Sequence, residues 1–161
     1  MKKNNNGFSL VELIVVIAIM ALLVTSVVTY VSLVSNSQAK KCAKELSTHM
    51  SQTKVCAMSR TNASMTVYKD DTGIYVKSVQ GDKEQTEKIG DKGVYIGYRD
   101  VRDSDVFTEL DSTGVELKFD RASGACKKMD SGKYCYGFKI QYGDTVYIVV
   151  LEPLTGKSSI Q

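Results

Sequence analysis

The stretch KKNNNGFSLVELIVVIAIM, residues 2–20, decides how the rest of the chain is read. Two lysines and a short Asn-Gly tract lead into an aliphatic run, and a single carboxylate, Glu12, stands at its head. A charge in hydrocarbon is costly, so such a residue is functional by default. The run is long: residues 13–39 carry no charge, and their 27 positions make roughly 40 Å of helix against the ~30 Å of a bilayer core. Neither proline nor glycine interrupts it, and Pro153 is the only proline of the chain. The first part, LIVVIAIMALLV, is almost wholly aliphatic. The second, TSVVTYVSLVSNSQA, brings Ser or Thr at nearly every third position, which predicts a helix that starts in lipid and continues outside it.

Three readings compete for this segment. A cleaved secretory signal would use Lys2 and Lys3 as its basic region, but Glu12 then falls inside the apolar core, and that core is too long. A plain membrane anchor explains the length and leaves Glu12 without a reason. The third reading is a resemblance. Gly7-Phe8-Ser9-Leu10-Val11-Glu12-Leu13 followed by IVVIAIMALLV resembles the prepilin signal of type IV pilins and type II secretion pseudopilins. The resemblance implies cleavage between Gly7 and Phe8 by a membrane prepilin peptidase and N-methylation of Phe8. It also implies insertion in the cytoplasmic membrane by a single pass, with the C-terminal domain outside the cytoplasm. Other pilins or pseudopilins, a membrane assembly platform and the bilayer are the implied partners.

Physical chemistry gives Glu12 a role in that setting. Cleavage creates an α-amine at Phe8, and the amine of an incoming subunit can pair with a neighbour's Glu12, offsetting the cost of a carboxylate in lipid. The pair would also set the stagger between subunits, as a buried polar residue sets register in a coiled coil. The alternative is a Glu12 paired with the Phe8 amine of its own chain, one turn away. Lys40, Lys41 and Lys44 beyond the far end of the run oppose the positive-inside tendency. Leader and carboxylate are the stronger signals.

Further along, Ala39, Ala43, Leu46, Met50, Thr53 and Ala57 recur at three- and four-residue spacing, the pattern of a helix packed on a sheet. Cys42, His49 and Cys56 form a second stripe at heptad spacing. Neighbours in it are ~10 Å apart along the axis, too far to share one metal ion. They are expected to flank the packed face, and no metal or other cofactor is expected.

After Asn62 the period changes to alternation. SMTVYK and IYVKSV flank the turn DDTG, and GVYIGY, VFTEL, VELKFD, YGFKIQY and TVYIVVLE read as further strands. Asp-Ser/Thr-Gly turns separate several of them. SVQGDKEQTEKIGDKG, residues 78–93, is polar and reads as a connecting loop. The fold class is therefore α+β and pilin-like: one long N-terminal helix over about 8–61, its first half transmembrane, packed on a C-terminal antiparallel sheet. The divisions are a leader at 1–7, a transmembrane and assembly half at 8–39, an amphipathic half at 40–61 and a β domain at 62–161.

LSTHMSQTKVCAMSRTNASMTVY, residues 46–68, resembles the helix end and first strand of the H-type minor pseudopilins (the GspH/FimT group), although Thr53-Lys54 stands where that group has Ala-Arg. The ending VYIVVLEPLTGKSSIQ resembles the group's closing strand, Thr-Gly turn and final short strand. Major type IV pilins have proline where this chain has Thr29, which favours a minor subunit or pseudopilin.

Charge and cysteines bound the remaining choices. Residues 1–61 carry seven Lys/Arg against two acids, and residues 62–161 fourteen against sixteen. The β domain therefore shows no basic surplus of the kind nucleic-acid binders carry. A DNA-binding minor pilin of a competence pilus is the alternative function, and Lys127, Lys128 and Lys133 in GACKKMDSGK are where such contact would fall. Cys42 and Cys56 are ~21 Å apart on one helix and cannot bond each other. Either both reach cysteines of the sheet domain, or Cys126–Cys135 closes alone around KKMDSGKY, or all four stay reduced; the single loop bridge is preferred. No enzyme is expected. The single histidine, His49, lies on the helix, and neither a phosphate-binding Gly-rich loop nor a His-Glu-x-x-His motif is present. Asp100, Asp103 and Asp105 lack EF-hand spacing and read as a solvated loop.

Overall fold

In a computed structural model of the chain, the backbone is described for residues 9–59 and 62–161, and side chains for 9–24, 36–59 and 62–161. Among the described residues one helix, α1 (Leu10–Met58), precedes nine strands: β1 (Ala63–Asp70), β2 (Gly73–Gln80), β3 (Lys83–Asp91), β4 (Tyr95–Arg99), β5 (Thr108–Glu109), β6 (Val115–Lys118), β7 (Gly137–Tyr142), β8 (Thr145–Glu152) and β9 (Lys157–Ile160). The α+β class is as expected, and α1 falls inside the expected 8–61. Phe8 and residues 60–61, at the ends of that expectation, lie outside the described residues. The chain divides into two compact units, Met1–Val34 and Ser35–Gln161.

The second unit holds two antiparallel sheets where one was expected, a four-stranded sheet β3-β2-β1-β6 and a five-stranded sheet β5-β4-β7-β8-β9. The hairpin at DDTG forms as read, with Asp70 paired to Gly73 across it. Asp70 Oδ1 accepts from the Thr72 and Gly73 amides at 2.7 and 3.0 Å and from the Thr72 hydroxyl at 2.6 Å. Asp111 and Asp120 cap their own turns in the same way. The short side chain reaches backbone amides two and three residues on, which is why aspartate opens each turn.

Residues 78–93 correct the sequence reading: they hold the end of β2 and the whole of β3 rather than a loop. In β3 only Ile89 is buried, so the alternation that marks a half-buried strand is missing. The strand is held by its backbone ladder to β2 and by the cross-strand pair of Lys77 with Glu84 at 2.6 Å, while Lys88 and Asp91 pair along the strand at 2.9 Å. Charges on an edge strand also discourage a further strand from adding there.

The helix face read from spacing is the face that packs. Ala39, Ala43, Leu46, Met50, Thr53 and Ala57 are all buried, and Cys42 joins them. They meet Met65, Val67, Ile74, Val76 and Leu117 of the first sheet, and Ile96, Phe138, Ile140, Val149 and Leu151 of the second, in one core. Polar contacts pin the helix at both sides. His49 faces Glu87 of β3 at 3.5 Å, Ser47 bonds Ser158 of β9 at 2.9 Å, and the Tyr147 hydroxyl donates to Asn36 at 2.7 Å. The sheets join where Phe119 bridges Cys126 and the Cys126 amide donates to the Pro153 carbonyl at 2.7 Å.

Candidate functional site

The start of α1 is rich in β-branched Val and Ile, poor helix formers in water, yet it is helical from Leu10. Its first turn is closed by the Leu13 amide donating to the Ser9 carbonyl at 3.1 Å. Glu12 sits in that turn, where the positive end of the helix dipole favours a carboxylate. Every described side chain from Ser9 to Val24 is exposed, Leu10 to 73% and Leu22 to 69%. Twelve of them are large aliphatic or methionine side chains. Covering each is worth ~1.5–3 kcal/mol, so the segment gains tens of kcal/mol by entering lipid or packing on other helices. The few kcal/mol that oppose a carboxylate there on insertion scales cannot reverse this balance.

Among the described residues no helix is long and apolar enough to cross a membrane. Side chains 25–35, the middle of the apolar run, lie outside those residues, as do Gly7 and Phe8, the expected cleavage and methylation positions.

Residues 2–28 match the prokaryotic N-terminal methylation motif. The chain begins with a type IV pilin-like prepilin signal. The match takes in Gly7, Phe8 and Glu12 and the aliphatic run behind them. A prepilin signal implies processing by a prepilin peptidase, anchoring in a membrane and assembly with other pilins, and the proteins that carry it are structural rather than enzymatic. No curated protein and no solved structure matches the chain.

Away from the prepilin signal, the structure disperses several groups that the sequence had drawn together. Cys42 goes into the core, His49 turns to Glu87, and Cys56 is half-buried. Among the described residues no three His, Cys, Asp or Glu side chains are arranged to hold a metal ion. All four cysteines are thiols, so the preferred Cys126–Cys135 bridge is not formed here. Each of that pair instead donates to a backbone carbonyl, Cys126 to Lys127 and Cys135 to Gly137. Burial pushes Cys126 up to about 11 and Cys135 up to about 12; burial, with Glu45 nearby, pushes Cys42 up to about 12.

The three loop lysines also part company. Lys133 pairs with Asp100 at 2.5 Å, and Lys128 lies over the Tyr134 ring at 5.6 Å. Lys127 instead lies beside Lys118, whose carbonyl accepts from the Lys127 amide at 2.7 Å. Reading VELKFD and GACKK as two arms of one hairpin would have brought Lys118 and Lys127 together.

Proposed function

We propose that this chain is a minor pilin or pseudopilin, a structural subunit that assembles into or primes a type IV pilus-like or type II secretion pseudopilus filament. The observation that carries the reading is Glu12, in the first turn of an exposed aliphatic helix and inside a prepilin signal. A peptidase hydrolyses the Gly7–Phe8 bond, Phe8 is N-methylated, and the first half of α1 holds the chain in the cytoplasmic membrane by a single pass. The β domain lies outside the cytoplasm. In the filament Glu12 pairs with the Phe8 amine of a neighbour and sets the stagger. The closing β8–β9 hairpin and Thr29 favour a minor subunit, with the H-type pseudopilins as the nearest subtype.

The test is intact mass and N-terminal sequencing of membrane-extracted protein from cells with and without the prepilin peptidase. A methylated chain starting at Phe8 only when the peptidase is present supports the reading. A chain starting at Met1 in both, or cut near Ala39, sinks it. The DNA-binding competence subunit remains the second reading. Of its three expected contacts it draws support from Lys127 alone, since Lys128 and Lys133 are turned to partners within the chain.

A further inference from the structure

Beside the last turn of α1, at the end of the four-stranded sheet, lies a cavity of about 190 Å³. Ala57 and Phe119 give it an apolar wall, and its polar lining is Asn62, Ser64, Lys118, Arg121 and Lys127. Three cations and no carboxylate therefore face one small space. Two of these cations have an acid beside them: Glu116 pairs with Lys118 at 2.6 Å, and Lys127 acts on the Asp120 carboxyl, which also accepts from the Ala122 and Ser123 amides. The Asn62 side-chain carbonyl is taken by Arg121. What the lining still offers is mainly donors: the Lys127 ammonium, the remaining guanidinium N–H groups of Arg121, the Asn62 amide and the Ser64 hydroxyl.

We propose that this cavity is an anion site that takes a phosphate group. A tetrahedral oxyanion presents acceptors on every side, which a lining of donors can satisfy together, and arginine matches it with a planar fork. The volume admits one such group with a few waters. Arg121 and Lys127 are exposed at its mouth, so the phosphate is either free or carried on the end of a larger molecule. The competing explanation is that the cations only complement the carbonyls at the C-terminal end of α1. The proposal is independent of the filament reading, because it uses only residues of the Ser35–Gln161 unit.

The experiment titrates inorganic phosphate into the full chain in detergent micelles, at fixed pH and ionic strength. It follows the backbone amide resonances of Asn62 and Ser64. Saturable shifts are expected, weakened about tenfold or more in Lys127→Gln and in Arg121→Gln, as loss of one charged hydrogen-bond partner implies. Lys92→Gln removes the same charge from an exposed site elsewhere and should leave the affinity unchanged. Lys127→Gln alters only an exposed side chain, so it keeps the test sound if Arg121→Gln fails to fold. Competition by a 5′-phosphorylated but not an unphosphorylated oligothymidylate would assign the phosphate to a strand end; competition by neither would assign it to free phosphate. No saturable shift, or equal affinity in the wild type and both cavity variants, overturns the proposal and leaves the cations to the helix end.

Discussion

Glu12 is one carboxylate set against a dozen exposed aliphatic neighbours, and the two properties predict opposite responses to one substitution. Removing the charge makes the segment more compatible with lipid, while it removes the partner of a neighbour's amine. Glu12→Ala should therefore still fractionate with membranes and still be processed, yet fail to enter filaments, read by sedimentation of sheared fibres. Loss of membrane association instead would mean that Glu12 serves insertion. The buried thiols allow a second check. Burial raises Cys42, Cys126 and Cys135 to about 11 or 12, so they stay protonated and unreactive at neutral pH. A maleimide should label at most the half-buried Cys56 in the native protein, and all four cysteines after denaturation without reductant, as counted by mass spectrometry. Two labels after denaturation would reveal a disulfide, with Cys126–Cys135 the first pair to test.

The Asp-opened turns make two hairpins of the β domain sensitive to acid. Hydrogen bonds from Thr72 hold the Asp70 carboxyl below its ordinary value of 3.8, and hydrogen bonds from Ser123 and Ala122 do the same for Asp120. A depressed folded-state value means stability that is present above the unfolded value and lost as pH falls through the folded one. The melting temperature should thus drop as pH is lowered from about 4, and Asp70→Asn with Asp120→Asn should flatten that drop, because Asn keeps an acceptor without the titration. An unchanged pH profile would place the acid sensitivity in other carboxylates. On α1 the contrast is between faces. Leu46 is fully buried and Val55 is 65% exposed. Leu46→Ala should cost about 2–5 kcal/mol in denaturant unfolding, and Val55→Ala within about 0.5 kcal/mol of nothing. Similar losses at both sites would contradict the assigned face.

Among the described residues the buried hydrophobic ones all fall between Ala39 and Leu151, within the Ser35–Gln161 unit, while the described side chains of the Met1–Val34 unit are exposed. One part of the chain thus carries its own core and the other needs a surrounding medium. A chain starting at Ser35 should be soluble without detergent and unfold in one cooperative transition, whereas the full chain should require detergent or lipid. A Ser35 chain that shows no unfolding transition would mean that the first unit is needed to complete the fold.

Features carried by neighbours in the chain were legible in the linear order of residues. The prepilin signal is a run of adjacent residues, the packed face of α1 follows from a 3.6-residue period, and each Asp-capped turn lies within four positions. Those signals sufficed for the α+β class, for the buried stripe from Ala39 to Ala57, and for the hairpin at residues 70–73. Only packing decided the rest. β3 is a strand because β2 supplies its ladder, which no alternation within Lys83–Asp91 announces. The split into two sheets, the pairing of Lys133 with Asp100, and the meeting of Ala57, Asn62 and Ser64 with Lys118, Arg121 and Lys127 around one cavity depend on contacts between residues distant in the chain. Such contacts are set by the whole ladder and core together, and a short stretch of residues carries no local trace of them.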